Sequence, residues 1–288
     1  MKKQNILVTG ASGFVGKVLV EKLLTDYKVF LVSKDDNFSH SNAIVYIGDL
    51  SDEVFCKKIV DGIDVVYYLA GYKKNISFHI KNPNDFIVGN VEPLISFLKA
   101  VKNSSIKQII YLSSTNVALY KEGEEDGYVV GKYINELILK SFAKQCGIDI
   151  KIVRSAGIYG PGDNFDTESA NFIPSMINKV FNSDGDISVW GTGERQIQFI
   201  YIDDLVDNLI KARESKSDFF TVGNSEVLTI NDITNKIIEL SMKSLKIIND
   251  PTKPDKPTHL FEFNNPTLTK LDFDNGLNET IKYYKTIK

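Results

Sequence analysis

Residues 8–23 read VTGASGFVGKVLVEKL, and this stretch predicts how the chain begins to fold. A short run of β-branched and apolar residues ends at Thr9, and apolar residues at helical spacing follow. Between them, Gly10 permits a tight turn, Gly13 lets the backbone approach a pyrophosphate, and Gly16 lets helix and strand pack closely. The start of the helix adds unbonded N–H groups and the positive end of a dipole. The stretch therefore predicts a phosphate-binding loop formed by Gly10, Ser12, Gly13, Phe14, Val15 and Gly16.

Strand-like and helix-like segments alternate through the first half of the chain. The further strand-length apolar runs lie at 28–33, 43–48, 64–71, 107–114 and 148–155. The helical patterns between them lie at 53–60, 85–101 and 128–146. Strands that are apolar on both faces and separated by helices indicate a parallel sheet covered on both sides.

The pattern of predicted elements changes after Ser155, where glycine-rich loops alternate with shorter elements. We expect two regions. The first is a dinucleotide-binding domain at 1–155, to which part of 196–225 returns. The second is a smaller substrate-binding region made of 156–195 and 226–288.

Composition excludes several classes of function. A net charge of −3 gives no basic excess for nucleic acid binding, and no apolar run approaches the ~18 residues of a membrane span. Three scattered histidines indicate no metal site. Two cysteines form no disulfide framework, so we expect a cytoplasmic protein.

Further motifs follow the glycine loop in a fixed order: GDL at 48–50, LAG at 69–71, NVEPLISFLKA from Asn90, SST at 113–115, YVVGK at 128–132, RSAGIYGPG at 154–162 and GTGERQIQFIYIDD at 191–204. This ordered set covers nearly the whole chain. It resembles the extended short-chain dehydrogenase/reductase family, in its NAD(P)-dependent nucleotide-sugar epimerase/dehydratase/reductase branch. The resemblance implies a Rossmann-type doubly wound parallel sheet with a smaller C-terminal α/β substrate-binding region. It also implies a homodimer that pairs the helices at 85–101 and 128–146.

Tyr128 and Lys132 are the expected catalytic pair. Their spacing alone is weak evidence for a catalytic role, because Tyr284 and Lys288 have the same spacing. Only Tyr128 and Lys132 lie at the family's position after SST. Four residues apart on a helix puts both side chains on one face. The resemblance makes Tyr128 the acid/base, and a nearby ammonium is expected to lower its pKa. It also makes Ser114 the hydroxyl that hydrogen-bonds the substrate carbonyl.

The expected cofactor is a nicotinamide dinucleotide. The resemblance places Asp49 and Leu50 beside its adenine, and it gives further contacts to Leu69, Ala70, Gly71, Asn90 and Lys132. Ser33 and Lys34 stand where NAD-dependent relatives carry an acidic residue, and a hydroxyl with an ammonium suits a 2′-phosphate. We therefore favour NADP over NAD. Asp35 and Asp36 lie close behind, which leaves NAD as the alternative.

The chain lacks side chains that some branches of the family need, and this excludes several of the family's reactions. Dehydratases and decarboxylases of the family carry a carboxylate next to the catalytic hydroxyl, where this chain has Thr115 and Asn116. Fucose-synthase-type enzymes use a cysteine there, which is also absent. A 4-ketoreductase or a 4-epimerase acting on a nucleotide sugar is left.

The substrate side departs from the family pattern. Gly157 replaces an asparagine, and Arg195 stands away from the usual position of the diphosphate-binding arginine. Lys73 and Thr115 are further candidates for contacting the nucleotide sugar, Thr115 also as the substitute for Ser114 if the register differs by one.

The expected function is an NAD(P)H-dependent reductase of a nucleotide-diphospho-4-keto-6-deoxysugar, because Ser33 and Lys34 suit an exchangeable reduced cofactor. In this reaction hydride comes from the nicotinamide and the proton from Tyr128. The first alternative is a nucleotide-sugar 4-epimerase with tightly bound NAD. The second is a non-catalytic dinucleotide-binding sensor or scaffold.

Overall fold

The computed structural model describes residues 3–72, 81–121, 126–166, 170–253 and 257–288. The contacts within it divide the chain into two compact units. The first unit contains 1–155 and 206–220, and the second contains 156–205 and 221–288.

The strands of the described residues, in chain order, are β1 (Asn5–Thr9), β2 (Lys28–Ser33), β3 (Ile44–Ile47), β4 (Val65–Tyr68), β5 (Gln108–Ser114), β6 (Asp149–Ser155), β7 (Gly157–Tyr159), β8 (Ile187–Trp190), β9 (Gln196–Ile197), β10 (Phe199–Tyr201), β11 (Phe219–Val222), β12 (Leu228–Thr229) and β13 (Ile247–Asp250). The α-helices are α1 (Phe14–Leu23), α2 (Glu53–Ile59), α3 (Pro83–Val101), α4 (Gly127–Cys146), α5 (Phe172–Asn182), α6 (Ile202–Glu214), α7 (Ile230–Ser241) and α8 (Phe273–Thr286).

Seven of these strands form the main sheet, in the order β3-β2-β1-β4-β5-β6-β11. The pairs from β3 to β6 all run parallel. This order is the doubly wound arrangement, so the expected Rossmann-type fold class is confirmed. The strand order reverses between β1 and β4, and ligands of such sheets bind outside the carboxyl ends of the strands at this point.

The helices of the first unit begin and end at residues that suit their positions. α3 has proline in its first turn, where no amide hydrogen is needed. Asp126 caps α4, and its carboxylate accepts from the amides of Tyr128 and Val129. α4 ends at Gly147, whose φ of +67° is favourable for glycine.

The core of the first unit lies on the sheet. Ile6, Leu7 and Val8 of β1 are fully buried, and all four residues of β4 are buried as well. Burial along whole strands is what a sheet covered on both faces requires. These central strands therefore hold the carboxyl-end turns of β1 and β4 on a rigid base.

The second unit contains short strand pairs and three complete helices. β7 pairs with β10, β9 with β12, and β8 with β13. The helices α5, α7 and α8 belong to it, and α7 begins with a capping box between Thr229 and Asp232.

Candidate active site

The glycine loop between β1 and α1 lies so close to neighbouring backbone that a side chain at Gly10 or Gly16 would not fit. Gly10 has a φ of +68°, and a Cβ on it would lie 3.0 Å from the backbone nitrogen of Ala70 in the turn after β4. A Cβ on Gly16 would overlap the carbonyl oxygen of Gly10. The loop can therefore lie this close to the strand ends because both positions are glycine.

The first turn of α1 presents backbone donors. Gly13 is its N-cap, so no side chain of that residue satisfies the N–H groups, and the turn carries no acidic residue. Free N–H groups and the positive end of the helix dipole favour an anion. The amide of Gly13 donates to the carbonyl of Gly10 at 3.0 Å, so the candidate donors to a phosphate are the amides that follow it, on Phe14 and Val15. The pyrophosphate site stays a prediction.

Ser12 and Ser33 make contact across this loop. Their hydroxyl oxygens lie 2.8 Å apart, and the amide of Asp35 donates to the Ser33 oxygen at 2.9 Å. Ser33 is only 3% exposed. Its hydroxyl therefore holds the end of β2 against the glycine loop.

Lys34 extends from the same strand end and forms an ion pair with Asp49, with Nζ and Oδ2 2.8 Å apart. Asp49 also accepts from the amide of Ser51 at 2.8 Å. Leu50 beside it is buried, and its carbonyl accepts from the thiol of Cys56. The structure thus brings together the residues predicted to surround the adenosine.

The turn after β4 is held by two polar side chains. Thr9 accepts at Oγ1 from the amides of Leu69 and Ala70, at 3.1 and 3.2 Å. Asn90 accepts from the amide of Tyr72 and donates to its carbonyl, both at 3.1 Å. Asn90 was predicted to contact the cofactor, and here its side chain fixes this turn. The role of Thr9 was missed, and only its place at the end of β1 signals it.

Ser114 and Tyr128 form the centre of the site. Ser114 ends β5 and caps the 3₁₀ turn Thr115–Leu119, where it accepts from the amide of Asn116 at 3.3 Å. Its hydroxyl is also the hydrogen-bonding neighbour that lowers the pKa of the Tyr128 phenol, in the first turn of α4. Thr115 is buried. Of the two hydroxyls considered, Ser114 is the one that meets Tyr128.

The phenol of Tyr128 is held in its protonated form. Burial raises its pKa, the hydrogen bond with Ser114 lowers it in part, and the carboxylate of Asp126 raises it further. The net pKa lies above the usual tyrosine value, whereas the sequence reasoning expected a lowered one. At neutral pH the group can therefore donate a proton.

Lys132 is held in the site by two neighbours. Its ammonium donates to the carbonyl of Leu112 at 2.9 Å and lies 4.9 Å from the centre of the Tyr111 ring. A Cβ on Gly71 would lie 3.6 Å from the same nitrogen. The buried ammonium is thus placed between β5 and the turn after β4.

A buried ion pair fixes α4 to the sheet. Arg154 on β6 donates from two nitrogens to the two carboxylate oxygens of Glu136, at 2.8 and 2.6 Å. Ser113, which precedes Ser114, donates to the same carboxylate at 2.6 Å. The sequence analysis missed this group. An arginine and a glutamate among apolar core residues were its only signal.

Two predicted substrate residues belong to the second unit. A Cβ on Gly157 would lie 2.7 Å from the ring of Phe199, so packing explains glycine there. Arg195 is half-buried, and its carbonyl accepts from the amide of Ile230 at 3.1 Å. Lys73, another predicted substrate residue, lies outside the described residues.

The described residues contain no group of three or more histidine, cysteine or acidic side chains placed to hold a metal ion. In the same part of the chain, no helix has the length and apolar character needed to span a bilayer.

The chain is similar to known proteins along nearly its whole length. The sequence profile described as "NAD dependent epimerase/dehydratase family" matches residues 6–223. A dTDP-4-dehydro-6-deoxy-D-allose reductase from a Streptomyces species is 25% identical, over 99% of this chain and 97% of that protein.

Solved structures show the same fold. UDP-N-acetylglucosamine 4-epimerase from Methanobrevibacter ruminantium, in complex with UDP-N-acetylmuramic acid, is 26% identical with a TM-score of 0.86, over 100% of both chains. UDP-glucose 4-epimerase from Thermotoga maritima, with UDP-glucose, has a TM-score of 0.87 at 23% identity, over 99% of this chain and 100% of that one.

Proposed function

Because the chain belongs to the NAD dependent epimerase/dehydratase family, we propose that it reduces a nucleotide-diphospho-4-keto-6-deoxysugar. The observation that carries this proposal is that Ser114, at the end of β5, acts on the buried phenol of Tyr128 in the first turn of α4, which is kept protonated. The Streptomyces reductase, which matches along almost its whole length, supports the same reaction class.

The residues of the chain have distinct parts in this reaction. Ser114 orients the sugar carbonyl, and Tyr128 donates a proton to the carbonyl oxygen as it becomes a hydroxyl. Lys132, whose ammonium is fixed by Leu112 and Tyr111, holds the nicotinamide ribose. The bound nicotinamide cofactor supplies the hydride to the carbonyl carbon.

Replacing Tyr128 with phenylalanine tests the mechanism. We expect kcat to fall by about 10²–10⁴, because general acid catalysis contributes that much. The measurement is NADPH oxidation with a dTDP-4-keto-6-deoxyhexose as the probe substrate.

Tyr284→Phe is the matched control for this variant. Tyr284 precedes Lys288 at the same spacing, but its hydroxyl bonds Asn178 and Asn182 within the second unit. This control should retain wild-type kcat. A Tyr128→Phe variant as active as the control would refute the proposed role.

NADP is the proposed cofactor, because Lys34 supplies a cation at the end of β2. The second candidate function is a nucleotide-sugar 4-epimerase with retained NAD. The likeness to the Methanobrevibacter 4-epimerase, at 26% identity over both whole chains, favours it.

Cofactor retention separates the two functions. A reductase exchanges its cofactor at each turnover, so we expect purified protein to release dinucleotide freely and to bind NADPH more tightly than NADH. Absorbance and mass measurements on the purified protein check this. Stoichiometric NAD that survives gel filtration would place the epimerase first.

We also propose a cytoplasmic homodimer. Cys56 and Cys146 are free thiols, and burial raises the pKa of Cys56 to about 12, which keeps it unreactive.

An open groove of about 390 Å³ runs along α3, and its apolar lining residues are Ile87, Val88, Val91 and Ile95. The resemblance assigns the dimer contact to this helix and α4.

A further inference from the structure

The end of β2 and the loop after β3 meet through backbone bonds. Ser33 is the register partner of Ile47, and the amide of Gly48 donates to the carbonyl of Ser33 at 2.9 Å. The residues that follow each strand are therefore neighbours. This proximity places the ammonium of Lys34 2.8 Å from the carboxylate of Asp49.

Ser33 and Lys34 differ in what they offer a ligand. The Ser33 hydroxyl is buried and engaged by Ser12 and by the amide of Asp35. The Lys34 side chain is 63% exposed, and Asp49 is its ion-pair partner. A phosphate that arrives from solvent therefore meets Lys34 first, and it meets a cation that already has an anion.

The position of the Lys34–Asp49 pair indicates which kind of ligand it would meet. In doubly wound sheets of this kind, the end of the second strand lies beside the adenosine ribose, and a basic residue there accommodates a 2′-phosphate. That phosphate and the Asp49 carboxylate are both anions, so they compete for the same ammonium. The other charged side chains near this turn are Asp35, which accepts from the amide of Asn37, and Asp36.

We propose that Asp49 is the counter-ion which the 2′-phosphate of NADP displaces from Lys34, so that this ion pair sets the choice between NADP and NAD. The inference rests on the proposed dinucleotide site and adds a specificity-determining residue to it.

The energetics of the pair suit such an exchange. Exposed ion pairs contribute little to stability, and both partners here are largely exposed, so Lys34 can change partners at small cost. Burial alone would raise the pKa of Asp49, but Lys34 and the Ser51 amide outweigh it and keep the pKa below the usual value. The carboxylate is therefore charged at neutral pH and competes with the phosphate for Lys34.

Adenosine fragments test the proposal without any turnover. Isothermal titration calorimetry would measure the dissociation constants of ADP and of adenosine 2′,5′-bisphosphate for the wild type, Asp49→Asn, Lys34→Gln and the double variant. The quantity compared is the ratio of the two constants in each protein, because a general weakening of the adenosine site cancels in it.

We expect Asp49→Asn to shift this ratio about three- to tenfold towards the bisphosphate, because the carboxylate that competes for the Lys34 ammonium is removed. Lys34→Gln should shift it the other way. In the double variant the gain from Asp49→Asn should be mostly lost, since the ammonium that it releases is missing.

Two results would overturn the proposal. The first is an Asp49→Asn ratio equal to or below that of the wild type. The second is a full gain in the Lys34→Gln background, which would mean that Asp49 acts without Lys34. Loss of binding of both fragments by every protein, the wild type included, would instead reject the dinucleotide site and the proposed function with it.

Discussion

At the scale of single residues, the protonation of Tyr128 determines what the site can do. Asp126 accepts at the same oxygen from the amides of Tyr128 and Val129, at 3.0 and 3.3 Å. Side chains in a helix lean towards its N-terminus, so the phenol lies on the side of this carboxylate. The charge of Asp126 opposes phenolate formation and so favours the acid form that a reductase needs.

Asp126→Asn should change the pH dependence of reduction. Asparagine caps a helix about as well as aspartate, so α4 keeps its start while the charge is lost. The pKa of Tyr128 should then fall, because phenolate is no longer opposed. Since reduction needs the phenol, the alkaline limb of kcat/KM should move to lower pH. The measurement is a pH profile of NADPH-dependent reduction for both proteins.

Asp126→Ala serves as the comparison, because it removes the charge and the cap together. It should show the same displacement of the limb and a lower melting temperature. An unchanged limb in Asp126→Asn would show that this carboxylate does not act on Tyr128.

At the scale of elements, α4 carries Tyr128 and Lys132, and β5 carries Ser114. The carboxylate of Glu136 ties the two elements together by accepting from Ser113 on β5 and from Arg154 on β6. Glu136 is 1% exposed, so these partners take the place of water around its carboxylate. The relative position of the catalytic residues therefore depends on one buried ion pair.

Glu136→Gln should destabilise the protein by about 3–5 kcal/mol, because it leaves the Arg154 charge without its counter-ion. The midpoint of urea unfolding measures the effect. Glu279→Gln is the control, since the pair of Glu279 with Lys282 is exposed and contributes about 0–1 kcal/mol. Equal midpoints for the two variants would mean that the buried pair adds no stability.

At the scale of the whole molecule, exposed apolar side chains on α3 and α4 bear on the proposed homodimer. Val88 and Ile95 on α3 and Leu137 on α4 are 45%, 39% and 46% exposed. Val88 and Ile95 line the same groove along α3, and grouped exposed apolar side chains commonly mark an interaction surface. The three side chains lie on the two helices to which the resemblance assigns the homodimer contact.

Light scattering should give the wild type twice the chain mass of 32.3 kDa. The double variant Val88→Glu with Ile95→Glu should give the single mass, because two charges would be buried in the contact. Leu268→Glu, at a position 85% exposed on the second unit, is the control and should leave the dimer intact. A wild type of 32.3 kDa, or a dimer unaffected by the double variant, would contradict this interface.

The sequence by itself determined the fold class and the family. Both depend on patterns that are local in the chain: apolar runs of strand length, helical spacing between them and the glycines after the first strand. The order of the motifs identified the family branch, and the family match over residues 6–223 confirmed it. The positions of Tyr128 and Lys132 on one helix follow from the same local periodicity.

Only the tertiary structure decided what several of these residues contact. In the folded chain the Ser33 hydroxyl contacts Ser12, and the Asn90 side chain bonds the backbone of Tyr72. Two ion pairs also form only there, Lys34 with Asp49 and Glu136 with Arg154. The tertiary structure also raised the pKa of Tyr128, which the sequence reasoning expected to be lowered. Each of these results depends on burial or on partners distant along the chain. Local periodicity carries no information about either, because long-range neighbours and desolvation arise only when the elements pack.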